Sequence, residues 1–233
     1  MFLKPEKQEV LVHTLLKRHN ETIKFYHLYL KIDQVMLAQM KGVKEVAYYA
    51  AAAKLSEFWY VFPILIANAY NAKLLETKNT SISCYQNFLT LLLSSLTAIA
   101  VLVSLVIYML SEPLVDLIYG ADFSSSSAIL TIHIFSSVFI FQRAVASKWL
   151  IAEGLYKFSL FSTGAGAISN ILLNYLLIPH YGGIGAAWAS LISYMIASYL
   201  SFSVYRKTRP LMKLMTKAIT QWPIVLLHIG KYR

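Results

Sequence analysis

Formal charge disappears from long stretches of this chain. None occurs between Phe88 and Leu110 or from Phe158 to Pro179, and after a short His180 to Ile184 interval a further uncharged run reaches Tyr205. Each run is long enough to cross a hydrocarbon core of roughly 30 Å as an α-helix. The last two abut at Pro179, Gly182, Gly183 and Gly185. A missing amide and residues without a Cβ permit a tight reversal there, so 156–179 and 184–205 are predicted to form a helical hairpin. The same pattern predicts crossing segments at about 27–40, 46–72, 86–110 and 125–152. The first is short and interrupted by Lys31 and Asp33, and the second is expected to kink near Pro63. Between the third and fourth, SEPLVDLIYG reads as a short interfacial helix ending at Gly120, followed by a serine-rich turn. The predicted fold class is all-α, a polytopic transmembrane helix bundle of about six membrane segments.

Polar residues inside these segments divide by face. On the first hairpin arm Ser159, Thr163, Asn170 and Asn174 make one stripe, and on the second Ala186, Ser190, Ser193, Ala197 and Ser201 make a stripe of small side chains. Carboxamides at membrane depth need protein or water partners, and small residues let helices approach where lipid supplies no hydrophobic drive. At about 100° per residue, Lys54, Glu57, Asn68 and Asn71 share a face of the second segment, and Lys54 and Glu57 are spaced to pair. Asp33 is the sharpest single residue, because a carboxylate inside a crossing segment is expensive unless paired, protonated or hydrated, and such residues mark ion or proton pathways. If its segment does not insert fully, Asp33 simply lies near water. Arg143 suits phosphate oxygens through its planar fork, or snorkels to a nearby interface. His133 reads as a hydrogen-bonded packing residue and Cys84 as a small apolar one near a helix start.

Composition agrees with the pattern. Hydrophobic residues make up 58% and charged residues 14%, with mean hydropathy +0.56, outside the range of ordinary soluble domains. The net charge of +10 does not imply nucleic acid, because the Lys and Arg residues sit at the two ends and in short loops. Lys4 to Lys24, Lys73 and Lys78, Arg143 to Lys157, and Arg206 to Lys217 gather on one side, against Lys41 and Lys44 on the other. Both termini are therefore expected in the cytoplasm, with 1–26 a polar basic segment and 206–233 a basic amphipathic tail along the headgroups. No apolar region follows Lys4 and Lys7 as a signal peptide requires. The chain has no phosphate-binding glycine loop, nucleophile elbow or metal-spaced histidine cluster, so neither an enzyme, a metal nor a cofactor is expected.

Two motifs carry a resemblance. The run N-x-x-L-N-x-x-L-I-P-x-Y-G-x-x-G-A-A-x-A, Asn170 through Ala189, and the run A-x-K-L-S-E-F-W-Y around Lys54 with its following proline resemble Wzx-type O-antigen and polysaccharide flippases. These belong to the multidrug/oligosaccharidyl-lipid/polysaccharide exporter superfamily. The resemblance covers roughly Leu28 to Thr216 and corresponds to the carboxy-terminal half, one lobe of a twelve-helix flippase. It implies a bacterial inner-membrane protein that moves undecaprenyl-pyrophosphate-linked O-antigen or capsular units, with membrane lipid, the lipid-linked oligosaccharide and an N-terminal six-helix lobe as partners.

By the same resemblance, Lys54, Glu57, Asn68, Asn71 and Arg143 are candidates for a substrate cavity. Asp33, Asn170 and Asn174 stand at places similar to a sodium site in the lipid II branch, with Asn at 174 where that branch has Asp. The implied coupling ion is Na⁺ or H⁺. The alternatives are a multidrug cation exporter of the same superfamily, a non-transporting membrane subunit of glycan assembly, and a truncated or inactive fragment.

Overall fold

A computed structural model describes residues 31–227. The segment 1–26, the start of the first expected crossing and the last residues of the tail lie outside these. The described chain is helical throughout, with no strand. Helix α1 spans Ile32–Lys41 and α2 spans Val43–Glu57, followed by a 3₁₀ turn at Phe58–Tyr60, α3 at Val61–Ala69 and α4 at Asn71–Thr80. The kink expected near Pro63 lies one turn earlier. A proline at 63 cannot donate to the carbonyl of Trp59 and crowds it, so the helix tightens where that bond is lost.

Helix α5, Ile82–Met109, begins before the uncharged run because Ser81 caps it, its Oγ accepting from the Cys84 amide at 3.1 Å. The interfacial segment is α6, Ser111–Tyr119, which ends at Gly120. Then come α7, Ser125–His133, and α8, Ser136–Ala152. The hairpin is α9, Tyr156–Ser198, whose two arms meet at Gly182 with φ 54° and ψ −133°. An L side chain rarely adopts that backbone, and a Cβ there would lie 2.6 Å from Glu45 Oε2. Among the described residues four stretches are long and apolar enough to cross a membrane: Val43–Ala69, Ile82–Met109, Ser125–Ala152 and Tyr156–Ser203. The last folds back at Gly182, so it supplies two arms.

Close approach of those arms depends on Gly166. A Cβ at that position would stand 2.6 Å from the Ala197 Cβ and 3.2 Å from the Ser193 carbonyl. In lipid the contact gains its stability from van der Waals packing between near backbones. Around the hairpin the apolar side chains form two cores. One joins α5, α8 and the end of the chain through Leu93, Leu96, Phe141, Val145 and Met215. The other joins α1, α2, α7 and the hairpin turn through Leu37, Ala52, Leu130, Ile178 and Ala186.

The final helix, α10 at Arg209–Leu227, was expected along the headgroups but lies against α5, burying Leu211, Met215 and Ala218. Gln142 ties it in, donating to the Met215 carbonyl at 3.2 Å and to Thr97 Oγ1 at 3.1 Å. An apolar stripe on a basic helix suits either a lipid surface or a protein one, and here α5 supplies the partner.

Polar contacts show which loops share an end of the bundle. Lys78 pairs with Glu153 at 2.9 Å and donates to the Ala152 carbonyl at 2.6 Å, so the α4–α5 junction meets the end of α8. At the opposite end Glu45 accepts from the Gly183 amide at 2.8 Å, so the start of α2 meets the hairpin turn. That carboxylate covers the amino-terminal end of the second arm, where helix amides lack intrahelical partners.

Candidate functional site

Asp33 lies in the first turn of α1 and faces the hairpin. Its Oδ2 accepts from Tyr49 Oη at 2.8 Å and from Ser190 Oγ at 2.9 Å, and its Oδ1 accepts from Asn174 Nδ2. Tyr49 Oη and Ser190 Oγ are themselves 3.0 Å apart. From Asn174 the network continues to Asn170 Oδ1 at 3.0 Å and from Asn170 Nδ2 to Ser193 Oγ at 3.4 Å. Asn174 is 0% and Asn170 9% exposed. The structure therefore brings Asp33, Asn170 and Asn174 together. Small residues on the second arm make this possible, because Ser190 and Ser193 leave room for α1 and the first arm to converge.

Nearly every polar atom of the cluster is used. The exception is Asn174 Oδ1, which is buried and has no hydrogen-bond partner among the described residues. Rotating that carboxamide would turn its oxygen toward Asp33 Oδ1 and Asn170 Oδ1, setting three acceptors face to face. Such a cluster of oxygens fits a small hard cation, and in the arrangement present the amide nitrogen serves the same carboxylate as a donor. Among the described residues no group of three or more His, Cys, Asp and Glu could hold a metal.

Arg143, on α8, is half-buried against the hairpin. It donates from Nη1 to Ser162 Oγ at 2.9 Å and to the Ala197 carbonyl at 3.2 Å. From Nη2 it reaches Ser159 Oγ at 3.3 Å, the Ser159 carbonyl at 3.4 Å and Thr163 Oγ1 at 3.1 Å. Phe202 lies 6.0 Å from the guanidinium. All these acceptors are neutral, and among the described residues no carboxylate pairs with Arg143. A cavity of about 200 Å³ lies along the hairpin, lined by Asp33, Asn170 and Ser190 on one side and by Thr163 and Ala197 on the other. One end thus meets the carboxylate cluster and the other the residues that hold the arginine.

The other expected cavity residues lie on α2, α3 and the start of α4. Lys54, Glu57 and Asn68 are exposed and Asn71 is half-buried, and none lines the hairpin cavity. The single face expected for them assumed one continuous helix. The 3₁₀ turn at Phe58–Tyr60 and the break at Tyr70 interrupt that helix between Glu57 and Asn71. Among the described residues Lys54 and Glu57 form no ion pair.

His133 is buried, with Nδ1 2.8 Å from Ser56 Oγ and its ring edge-on to Tyr49 at 5.8 Å, so it backs the tyrosine that holds Asp33. Cys84 is exposed. Sequence reasoning missed Tyr49 and Glu45 and counted Ser190 only as a small residue. The one signal for Tyr49 was its place beside Ala50 to Ala53, where small side chains imply a close helix contact that a buried hydroxyl would have to satisfy.

No curated protein and no solved structure matches the chain. A family model described as MatE matches residues 23–176, which takes in α1 through the first hairpin arm with Asp33, Arg143, Asn170 and Asn174. Members of that family are transporters and not enzymes. The apolar helical bundle and the span of the match agree, and the chain belongs to the MatE family of membrane exporters.

Proposed function

We propose that this chain is one lobe of an ion-coupled flippase for undecaprenyl-pyrophosphate-linked O-antigen or capsular units in the bacterial inner membrane. Both termini lie in the cytoplasm, and a second six-helix lobe completes the transport path. The observation that carries this reading is Arg143, a guanidinium drawn into the hairpin with only neutral acceptors. It remains available to an anion such as pyrophosphate. Asp33, Asn170 and Asn174 serve as the coupling site. A cation or a proton arriving at Asp33 releases the donors from Tyr49, Ser190 and Asn174, loosening α1 from the hairpin and biasing the lobe between its two arrangements. The grouping of Lys73, Lys78 and Glu153 at one end of the bundle and Lys44, Glu45 and Gly183 at the other supports the assigned orientation.

A second reading, export of organic cations, draws on Glu57 beside the exposed Phe58 and Phe62. The two separate in a flippase-deficient strain supplied with this chain joined to a partner lobe. The flippase reading expects restored O-antigen display that Arg143→Gln abolishes and Arg143→Lys partly keeps. Ethidium efflux without restored display, lost in Glu57→Gln and intact in Arg143→Gln, would favour the exporter of cations.

A further inference from the structure

Helices α3, α4 and α5 enclose an open groove of about 830 Å³, away from the hairpin. Its long wall is the face of α5 formed by Phe88, Leu91, Leu92, Ser95 and Ile99, with Ile66 of α3 opposite. From Phe88 to Ile99 that wall rises about 16 Å at 1.5 Å per residue, close to the depth of one leaflet of a roughly 30 Å core. The mouth is polar. Lys73 Nζ lies 3.1 Å from both carboxylate oxygens of Glu76, with the two side chains 53% and 65% exposed, and Thr77 and Thr80 line the same end. Polar α4 and the nearby Lys78–Glu153 pair give this end the polarity that a headgroup region requires.

We propose that the groove holds one phospholipid with a primary-amine headgroup, of the phosphatidylethanolamine class. One acyl chain follows α5 from Phe88 to Ile99, the phosphate sits at Lys73 and the ammonium at Glu76. Charge complementarity selects a zwitterionic head, and a primary ammonium can donate hydrogen bonds to the Glu76 carboxylate where a quaternary one cannot. A zwitterionic head replaces both halves of the exposed Lys73–Glu76 pair. An anionic head such as phosphatidylglycerol satisfies Lys73 alone and leaves Glu76 facing a like charge. The apolar wall offers an acyl chain contact along its length and only Ser95 as a polar group. Nothing in this proposal depends on which substrate the protein moves.

The test places a photo-crosslinking residue at Leu91 of the full chain, reconstituted in vesicles of equimolar phosphatidylethanolamine and phosphatidylglycerol, and weighs the crosslinked peptide. The expected product is a single lipid adduct, with phosphatidylethanolamine favoured about two- to fivefold, the range an exposed ion pair supplies. Glu76→Gln should bring that preference to unity while the adduct persists, and Ser95→Trp should remove the adduct by filling the groove. If Ser95→Trp does not insert, the Glu76→Gln comparison decides. An adduct to protein in native membranes, absence of a lipid adduct, or equal capture of the two lipids by the unsubstituted chain overturns the proposal.

Discussion

The hairpin cluster and the outer face of α2–α3 both carry polar side chains on apolar helices, and they treat them oppositely. At the hairpin, Asp33, Asn170, Asn174, Ser190 and Arg143 are turned inward and hydrogen-bonded to one another or to neighbouring backbone. On α2–α3, Lys54, Glu57 and Asn68 are exposed and make no ion pair among the described residues. An unpartnered charge facing lipid is expensive. The outer face therefore suits a water-filled path or a second lobe, whereas the Asp33 cluster is hydrogen-bonded within the hairpin and Arg143 beside it meets no carboxylate among the described residues. A cluster that satisfies itself can set a conformational preference within one lobe, and an exposed charged face can act only on something that comes to it.

The largest expected effect lies where the hairpin arms touch. Gly166→Leu forces atoms into the Ala197 Cβ and the Ser193 carbonyl, so overpacking should destabilise the hairpin by about 1–3 kcal/mol or more. Fluorescence-detected size exclusion should report a fall in the folded membrane protein. A normal yield would mean that the arms do not meet as described.

Next comes the network itself. Asn174→Leu removes the donor to Asp33 and leaves a carboxylate short of a partner, a loss of about 1–3 kcal/mol. Thermal unfolding in detergent should show it, and Asn174→Asp, which adds charge beside Asp33, should restore stability only when Na⁺ is supplied.

The smallest effect is expected on the outer face, where Lys54→Gln and Glu57→Gln should each change stability by no more than about 0.5 kcal/mol. A loss as large as that of Asn174→Leu would erase the distinction between the two regions.

Much of this was legible in the sequence, and the rest was hidden for physical reasons. The reversal at Gly182 followed from Pro179 and three nearby glycines, and the α6 helix from its ending at Gly120, because backbone conformation is local. Convergence of Asn170 and Asn174 on one stripe followed from helical spacing. Tyr49 and Glu45 were missed because their partners, Asp33, Ser190 and Gly183, come from other elements, and spacing within one helix says nothing about a neighbour. The docking of α10 on α5 was hidden for a related reason: Met215 and Ala218 would serve a lipid face as well as a protein one. The 3₁₀ turn at Phe58–Tyr60 was not legible either, because a proline acts on the turn before itself and not at its own position.

Asp33 with Asn170 and Asn174 is the proposed coupling site. Its most direct test is ion-driven transport by the chain joined to a partner lobe, measured for Asp33→Asn and Asn170→Ala beside the level of protein in the membrane. Asp33→Asn keeps a hydrogen-bonding side chain but removes the charge, so transport should be abolished at an unchanged protein level. Asn170→Ala should reduce transport less, since water can replace one oxygen. Unimpaired transport by Asp33→Asn, with Asn170→Ala instead lowering the amount of protein, would contradict the account and leave the cluster a packing device.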